Sequence, residues 1–252
     1  MRSRWWGVAL TLATLAAIGY AAWSAPTAQA PAADATTASE STASPTPSET
    51  AAEVVAEPAE PAFDLTTHSR RDAGSIWVLV DKQRALRPAT YEPDWAIVEG
   101  YRVDDRVVAG LERLLAAARA DGMDLRIMSA YRSYSHQAAL YDDRVAAIGA
   151  DAAARVTAPP GHSEHQTGLA VDFGRATTGE CNVEPCFART PEGRWLRQHA
   201  AEFGFILRYP VGAESITGYD PESWHYRFVG RGLATYMREA GIRTLEEVFA
   251  GG

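Results

Sequence analysis

The sequence predicts an α+β fold for residues 63–252, an antiparallel sheet flanked by helices. Three observations carry this. Strand-like and helix-like patterns are mixed without a strict strand–helix–strand repeat, which argues against a doubly wound parallel sheet. No Walker loop, dinucleotide fingerprint or internal repeat is present. A segment of about 190 residues is long enough for one substantial core.

The elements follow in order. "SIWVLV" carries an apolar run, Ile76 to Val80, of strand length, and the Pro-rich stretch after it is a loop. "VDDRVVAGLERLLAAARADGMD" is a helix: Asp104 or Asp105 caps it, Val108, Leu111 and Leu115 line one face, and Gly122 ends it. "DLRIMSAYR" is a short buried strand running into a polar turn. "SYSHQAALYDDRVAAIG" is helical again, and "VTAPPGHSEHQTG" is a loop punctuated by Pro159-Pro160-Gly161. "LAVDF" alternates as a strand does. "PEGRWLRQHAAEFG" is a helix with Pro191 in its first turn and Gly204 just past its end. "FILRYP" and "WHYRFV" are strands, and two short helices close the chain.

The N-terminal residues differ in kind. Arg2 and Arg4 precede an apolar run from Trp5 to Trp23, the order of a secretory signal. The run is also long enough to span a bilayer as a helix. Residues 1–23 are therefore expected to be a signal peptide or a membrane anchor. Ala28-Gln29-Ala30 resembles a cleavage site but is followed by Pro31; Ala30-Pro31-Ala32 is a second candidate. Residues 24–62 are rich in Ala, Pro, Thr, Ser and Glu, with no periodic apolar face. Such a segment is expected to be a disordered linker. The domain expected to carry function is 63–252, outside the membrane: exported to the periplasm or the cell surface.

The formal net charge is -8, with only one lysine, Lys82, among the 24 basic residues. No concentrated basic surface exists for a phosphate backbone, so nucleic acid is excluded as an expected partner. Cys181 and Cys186 are the only cysteines. In an exported protein, a local disulfide is the expected pairing.

The residues that carry chemistry cluster in "GHSEHQTGLAVDFG", residues 161–174. His165 and Asp172 are seven apart, with Thr167-Gly168 between them as a sharp bend. A loop histidine and a strand aspartate then converge, and imidazole plus carboxylate suits a borderline ion such as zinc. A catalytic zinc takes three protein ligands and keeps one position open. In "DPESWHYRFVG", His225 at the start of a strand supplies the third. Glu222, three residues before it, is placed to accept a proton from an attacking water without binding metal. Spacing alone leaves open that these are unrelated polar residues. His136 and His199 fall in helical patterns and read as surface or packing residues. His162 reads as a solvated loop histidine or as a residue supporting the motif, and Glu164 as a supporting loop residue.

"SAYRSYSHQ", "SEHQTGLAVDF" and "ESWHYRFVG", in that order, resemble the VanY-type D-alanyl-D-alanine carboxypeptidases. These are zinc peptidases sharing a fold with lysostaphin-type enzymes and the hedgehog signalling domain. The resemblance covers about residues 75–240. It implies a hedgehog-like, D-Ala-D-Ala-peptidase-like fold, Zn2+ as cofactor, and His165, Asp172 and His225 as its ligands. It implies Glu222 as general base, and Arg132, Gln137 and Ser163 as substrate-binding residues. A guanidinium suits the free carboxylate that ends such a substrate, or the oxyanion formed during attack. The implied partners are peptidoglycan stem peptides, and the implied reaction is hydrolysis of their C-terminal peptide bond. The competing activities are an L,D-carboxypeptidase acting on tetrapeptides, a crosslink endopeptidase, and a wall-binding module without catalysis. One departure is visible: Ser223 stands where the family often has proline.

Overall fold

The computed structural model describes residues 63–250. The signal or anchor expected at 1–23 and the linker expected at 24–62 lie outside the described residues. Among the described residues no helix is long and apolar enough to cross a membrane.

A hairpin comes first: β1 (Trp95–Val98) pairs antiparallel with β2 (Tyr101–Asp104). Glu99 and Gly100 turn it, both at positive φ, 48° and 88°. Asp104 then caps a 3-10 turn by accepting the Arg106 amide, and α1 (Val108–Ala120) follows. Its buried face is Leu111, Leu114, Leu115 and Ala118, spaced as one apolar stripe.

After β3 (Leu125–Ser129) come α2 (Tyr134–Ile148), capped by Ser133, and α3 (Ala150–Val156). β4 (Ala170–Arg175) leads to α4 (Pro191–His199), where Thr190 is the cap and Pro191 opens the first turn. β5 (Phe205–Tyr209), α5 (Glu214–Thr217), β6 (Glu222–Phe228), α6 (Arg231–Ala240) and α7 (Leu245–Phe249) complete the order. The main sheet has the order β3-β4-β6-β5, antiparallel throughout. The α+β expectation holds.

Strand alternation assigns the two faces of this sheet. Ile127, Val171, Phe173, Phe205 and Tyr226 pack with α1, Phe187 and Leu196 in the main core. Asp172, His225, Arg227 and Arg208 take the alternate positions. A second cluster joins Trp77, Leu79 and Ile206 to Leu233, Met237, Leu245 and Phe249.

The strand expected at Ile76–Val80 does not form. The run is buried, with Trp77, Val78 and Val80 at most 3 % exposed, but among the described residues it pairs with no strand. Its backbone is satisfied otherwise: the Arg227 guanidinium donates to Ile76 O (3.1 Å) and Val78 O (3.0 Å). A buried carbonyl needs a donor, not a neighbouring strand as such.

Candidate metal centre

Three buried side chains converge where β4 and β6 pair. His165 lies in the 3-10 turn Glu164–Thr167, Asp172 in β4 and His225 in β6. One donor atom from each lies within 4.8 Å of the others. His225 is mid-strand rather than at the strand's start.

The register explains the convergence. Ser129, Asp172 and His225 are direct partners in a row across three strands. Gly168 turns the chain from the 3-10 turn into β4 at φ 70°, and a Cβ there would meet the Asp104 backbone nitrogen at 2.7 Å. Only glycine satisfies both demands. The bend expected at Thr167-Gly168 is this one.

Hydrogen bonds set the histidine orientations. His165 Nδ1–H donates to Ala130 O at 2.7 Å, because a carbonyl only accepts. Its Nε2 points at Asp172 Oδ2, 3.2 Å away. His225 places Nδ1 at 3.0 Å from Asp172 Oδ1, and its Nε2 lies 3.4 Å from Glu164 Oε2.

Glu222 sits beside this group, outside the ligand set. At three residues before His225 it belongs on the opposite face of a regular strand. A register shift in β6 opposite Leu207 and Tyr209 brings it back, and Oε2 comes within 3.6 Å of His225 Nδ1. Burial pushes the Glu222 carboxyl up to about 7, against the pull of His225 and Arg132 and helped by Asp172. For Asp172, burial opposes ionisation, but the two histidines outweigh it and hold the carboxyl well below the usual range. Burial lowers His165. His225 is lowered by burial but raised further by its bonds to Asp172 and Glu164, to about 10. A dication at the three donors would take over the charge that this proton supplies.

A cleft of about 610 Å³ opens onto the site, and the expected substrate residues Arg132, Gln137 and Ser163 line it. The Arg132 guanidinium donates to Gln137 Oε1 (2.8 Å) and Ser129 Oγ (3.2 Å). Gln137, 1 % exposed, donates in turn to Ala158 O at 2.7 Å. Its Oε1 is thus engaged by the arginine and its Nε2 by the backbone. Cys181 and Cys186 are joined as expected, and the loop they close puts Val183, Glu184 and Pro185 on the cleft wall.

One expectation is corrected. His162 is only partly exposed, with Nδ1 2.7 Å from Asp81 O. Glu164, expected as a supporting loop residue, is 2 % exposed and paired with two buried arginines, Arg208 and Arg227, each at 2.8 Å. Burial opposes its ionisation, but those two charges outweigh it and hold the carboxyl far below the usual range. The signal in the sequence was the arginines themselves, each set among apolar residues in "FILRYP" and "WHYRFV". Tyr209, Tyr219 and Trp224 also line the cleft and carried no motif signal.

The VanY family, D-alanyl-D-alanine carboxypeptidase, matches residues 100–231. A D-alanyl-D-alanine carboxypeptidase of Enterococcus faecalis (strain ATCC 700802 / V583) is 37% identical over 180 residues, which is 68% of this chain and 64% of that enzyme. The solved LdcB LD-carboxypeptidase superposes with a TM-score of 0.66 at 36% identity, covering 71% of this chain and 87% of LdcB. A mutant of the vancomycin-resistance D,D-pentapeptidase VanY, solved with Zn(II), superposes at 0.60 with 37% identity, covering 68% of this chain and 96% of that one. With the family profile spanning more than half of its length, the chain belongs to the VanY family of D-alanyl-D-alanine carboxypeptidases.

Proposed function

We propose that the chain is a zinc-dependent D-alanyl-D-alanine carboxypeptidase that trims peptidoglycan stem peptides. One observation carries this reading. The candidate base Glu222 stands 3.6 Å from a ligand nitrogen, in the same cleft as a cradled arginine.

The donor set fits zinc. Two imidazoles and one carboxylate are buried within 4.8 Å, and three protein ligands leave a position open. His165, Asp172 and His225 would hold the ion. When bound, it would polarise the scissile carbonyl and acidify the attacking water. Glu222 Oε2 takes the water's proton and returns it to the leaving amine.

Arg132 spends two N–H groups on Gln137 and Ser129, leaving others for the substrate's terminal carboxylate. Gln137 acts by fixing the arginine's direction, and Ser163 lines the same cleft. A carboxylate anchor favours an exopeptidase over a crosslink endopeptidase, and a placed base is superfluous in a wall-binding module.

An L,D-carboxypeptidase is the second reading, favoured by the likeness to LdcB. Release of free D-alanine from UDP-muramyl pentapeptide and tetrapeptide, assayed side by side, separates the two. Pentapeptide turnover abolished by a chelator supports the D,D reading; turnover of tetrapeptide alone moves it to L,D. No release from either, with zinc still bound, overturns both.

We also propose export, with residues 1–23 acting as a signal or as a membrane anchor, on the strength of their basic-then-apolar order. Cell fractionation with an antibody to the domain tests it; a protein confined to the cytosol refutes it.

A further inference from the structure

We propose that Glu164 is a positioning residue that fixes the tautomer of His225, and that Arg208 and Arg227 fix the direction of Glu164. The proposal rests on the metal-centre reading of His165, Asp172 and His225.

Glu164 uses its two oxygens differently. Oε1 accepts from Arg208 Nε and from Arg227 Nη1, both at 2.8 Å. Oε2 faces His225 Nε2 at 3.4 Å. Neither arginine is free to turn away. Arg208 is also gripped by Glu246, through Nη1 to Oε2 (2.9 Å) and Nη2 to Oε1 (2.7 Å). Arg227 is also held by the carbonyls of Ile76 and Val78. All three side chains of the Arg208–Glu164–Arg227 group are 0 % exposed, so water is no substitute partner.

The chemistry follows from donor and acceptor roles. A carboxylate oxygen only accepts, so the nitrogen facing it must carry the proton. Both ring nitrogens of His225 face a carboxylate, Nδ1 at 3.0 Å from Asp172 and Nε2 at 3.4 Å from Glu164, so a metal ion held at Nδ1 would displace the proton there and leave the remaining one on Nε2, facing Glu164. A carboxylate behind a ligating imidazole sets ring orientation and tautomer in this way. At 3.4 Å the contact is long, so its role is direction more than strength. The two guanidiniums also supply the polarity: each requires an acceptor at Oε1.

Glu164→Gln tests this. Both arginines demand an acceptor, so the amide oxygen takes the Oε1 place and the NH₂ faces His225 Nε2. A donor there drives the imidazole proton to Nδ1, where it competes with metal. We expect the zinc dissociation constant, measured by competition with a chromophoric chelator, to rise about 10–100-fold. In zinc-loaded wild type labelled with ¹⁵N-histidine, NMR should show His225 protonated at Nε2 and metal-bound at Nδ1. A folded Glu164→Gln protein binding zinc within about twofold of wild type overturns the proposal. So does a wild-type spectrum with Nε2 on the metal, and that readout stands even if the variant fails to fold. Wild type that binds no zinc in the same titration instead sinks the metal-centre reading, and this proposal with it.

Discussion

Replacing Glu222 with glutamine keeps the shape of the side chain and removes its charge and its capacity to accept the water's proton. Loss of a general base costs about 10²–10⁴ in rate, or about 3–5 kcal/mol of transition-state stabilisation. Zinc affinity should hardly move, because Glu222 stands 3.6 Å from His225 Nδ1 whereas Asp172 stands at 3.0 Å and belongs to the ligand set. Stability has its own signature. The folded-state pKa rises from 4.5 to about 7, so the folded protein holds this proton more tightly than the unfolded chain does. Below about pH 4 the carboxyl is protonated in both states and adds no penalty. As pH climbs through 4.5 and then 7, the folded state must carry a buried carboxylate, and stability falls. The full shift corresponds to about 3 kcal/mol. The side chain is 18 % exposed, so we expect about 2 kcal/mol in practice. Urea denaturation of chelator-treated protein at pH 4 and pH 8 reads this directly: wild type loses stability relative to Glu222→Gln by about 2 kcal/mol across that interval. D-alanine release by the zinc-loaded proteins gives the rate. A variant that keeps more than about a tenth of wild-type kcat, or that loses zinc, would refute the assignment of Glu222 as base.

Other perturbations separate the remaining parts. Asp172→Asn should abolish zinc-dependent stabilisation, which in wild type amounts to about 2.7 kcal/mol at a zinc concentration one hundred times the dissociation constant; a thermal melt with and without zinc shows it. Arg132→Ala should lower kcat/KM on stem peptides about 10–150-fold, the worth of a charge-assisted hydrogen bond, with little change on a C-terminally amidated analogue. Replacing both Cys181 and Cys186 with serine should cost about 2 kcal/mol, as expected for so short a ring, or a melting shift of about 4–8 °C by calorimetry. Phe173→Ala, at the centre of the main core and 0 % exposed, should cost about 3–5 kcal/mol in urea denaturation.

The metal ligands were legible because their chemistry survives in one dimension: histidine and aspartate seven apart across a glycine bend, and a later glutamate and histidine three apart. The role of Glu164 was not, because it depends on arginines 44 and 63 positions further along. A single carboxylate in a loop motif gives no sign of what will be folded onto it. The run Ile76–Val80 was misread because apolar residues alone do not distinguish a paired strand from an extended segment whose carbonyls bond to a side chain. The hairpin Trp95–Asp104 escaped notice because Asp104 does two jobs: it closes β2 and caps the turn before α1. Its Glu99–Gly100 turn also lacks the Asn-Gly or Asp-Gly pair that marks such hairpins most clearly.

Ser129, Asp172 and His225 lie in one row across three hydrogen-bonded strands, and this has a consequence for how the centre comes apart. Two of its three ligands are spaced by the lateral rungs of the sheet, not by a hinged loop. Local breathing of the cleft wall leaves that spacing untouched; only separation of β4 from β6 alters it. The amides of these two strands should therefore be among the slowest to exchange with deuterium. The optical or magnetic signal of a reporter ion such as cobalt should vanish in step with global unfolding, making the ion a gauge of the whole domain's cooperativity.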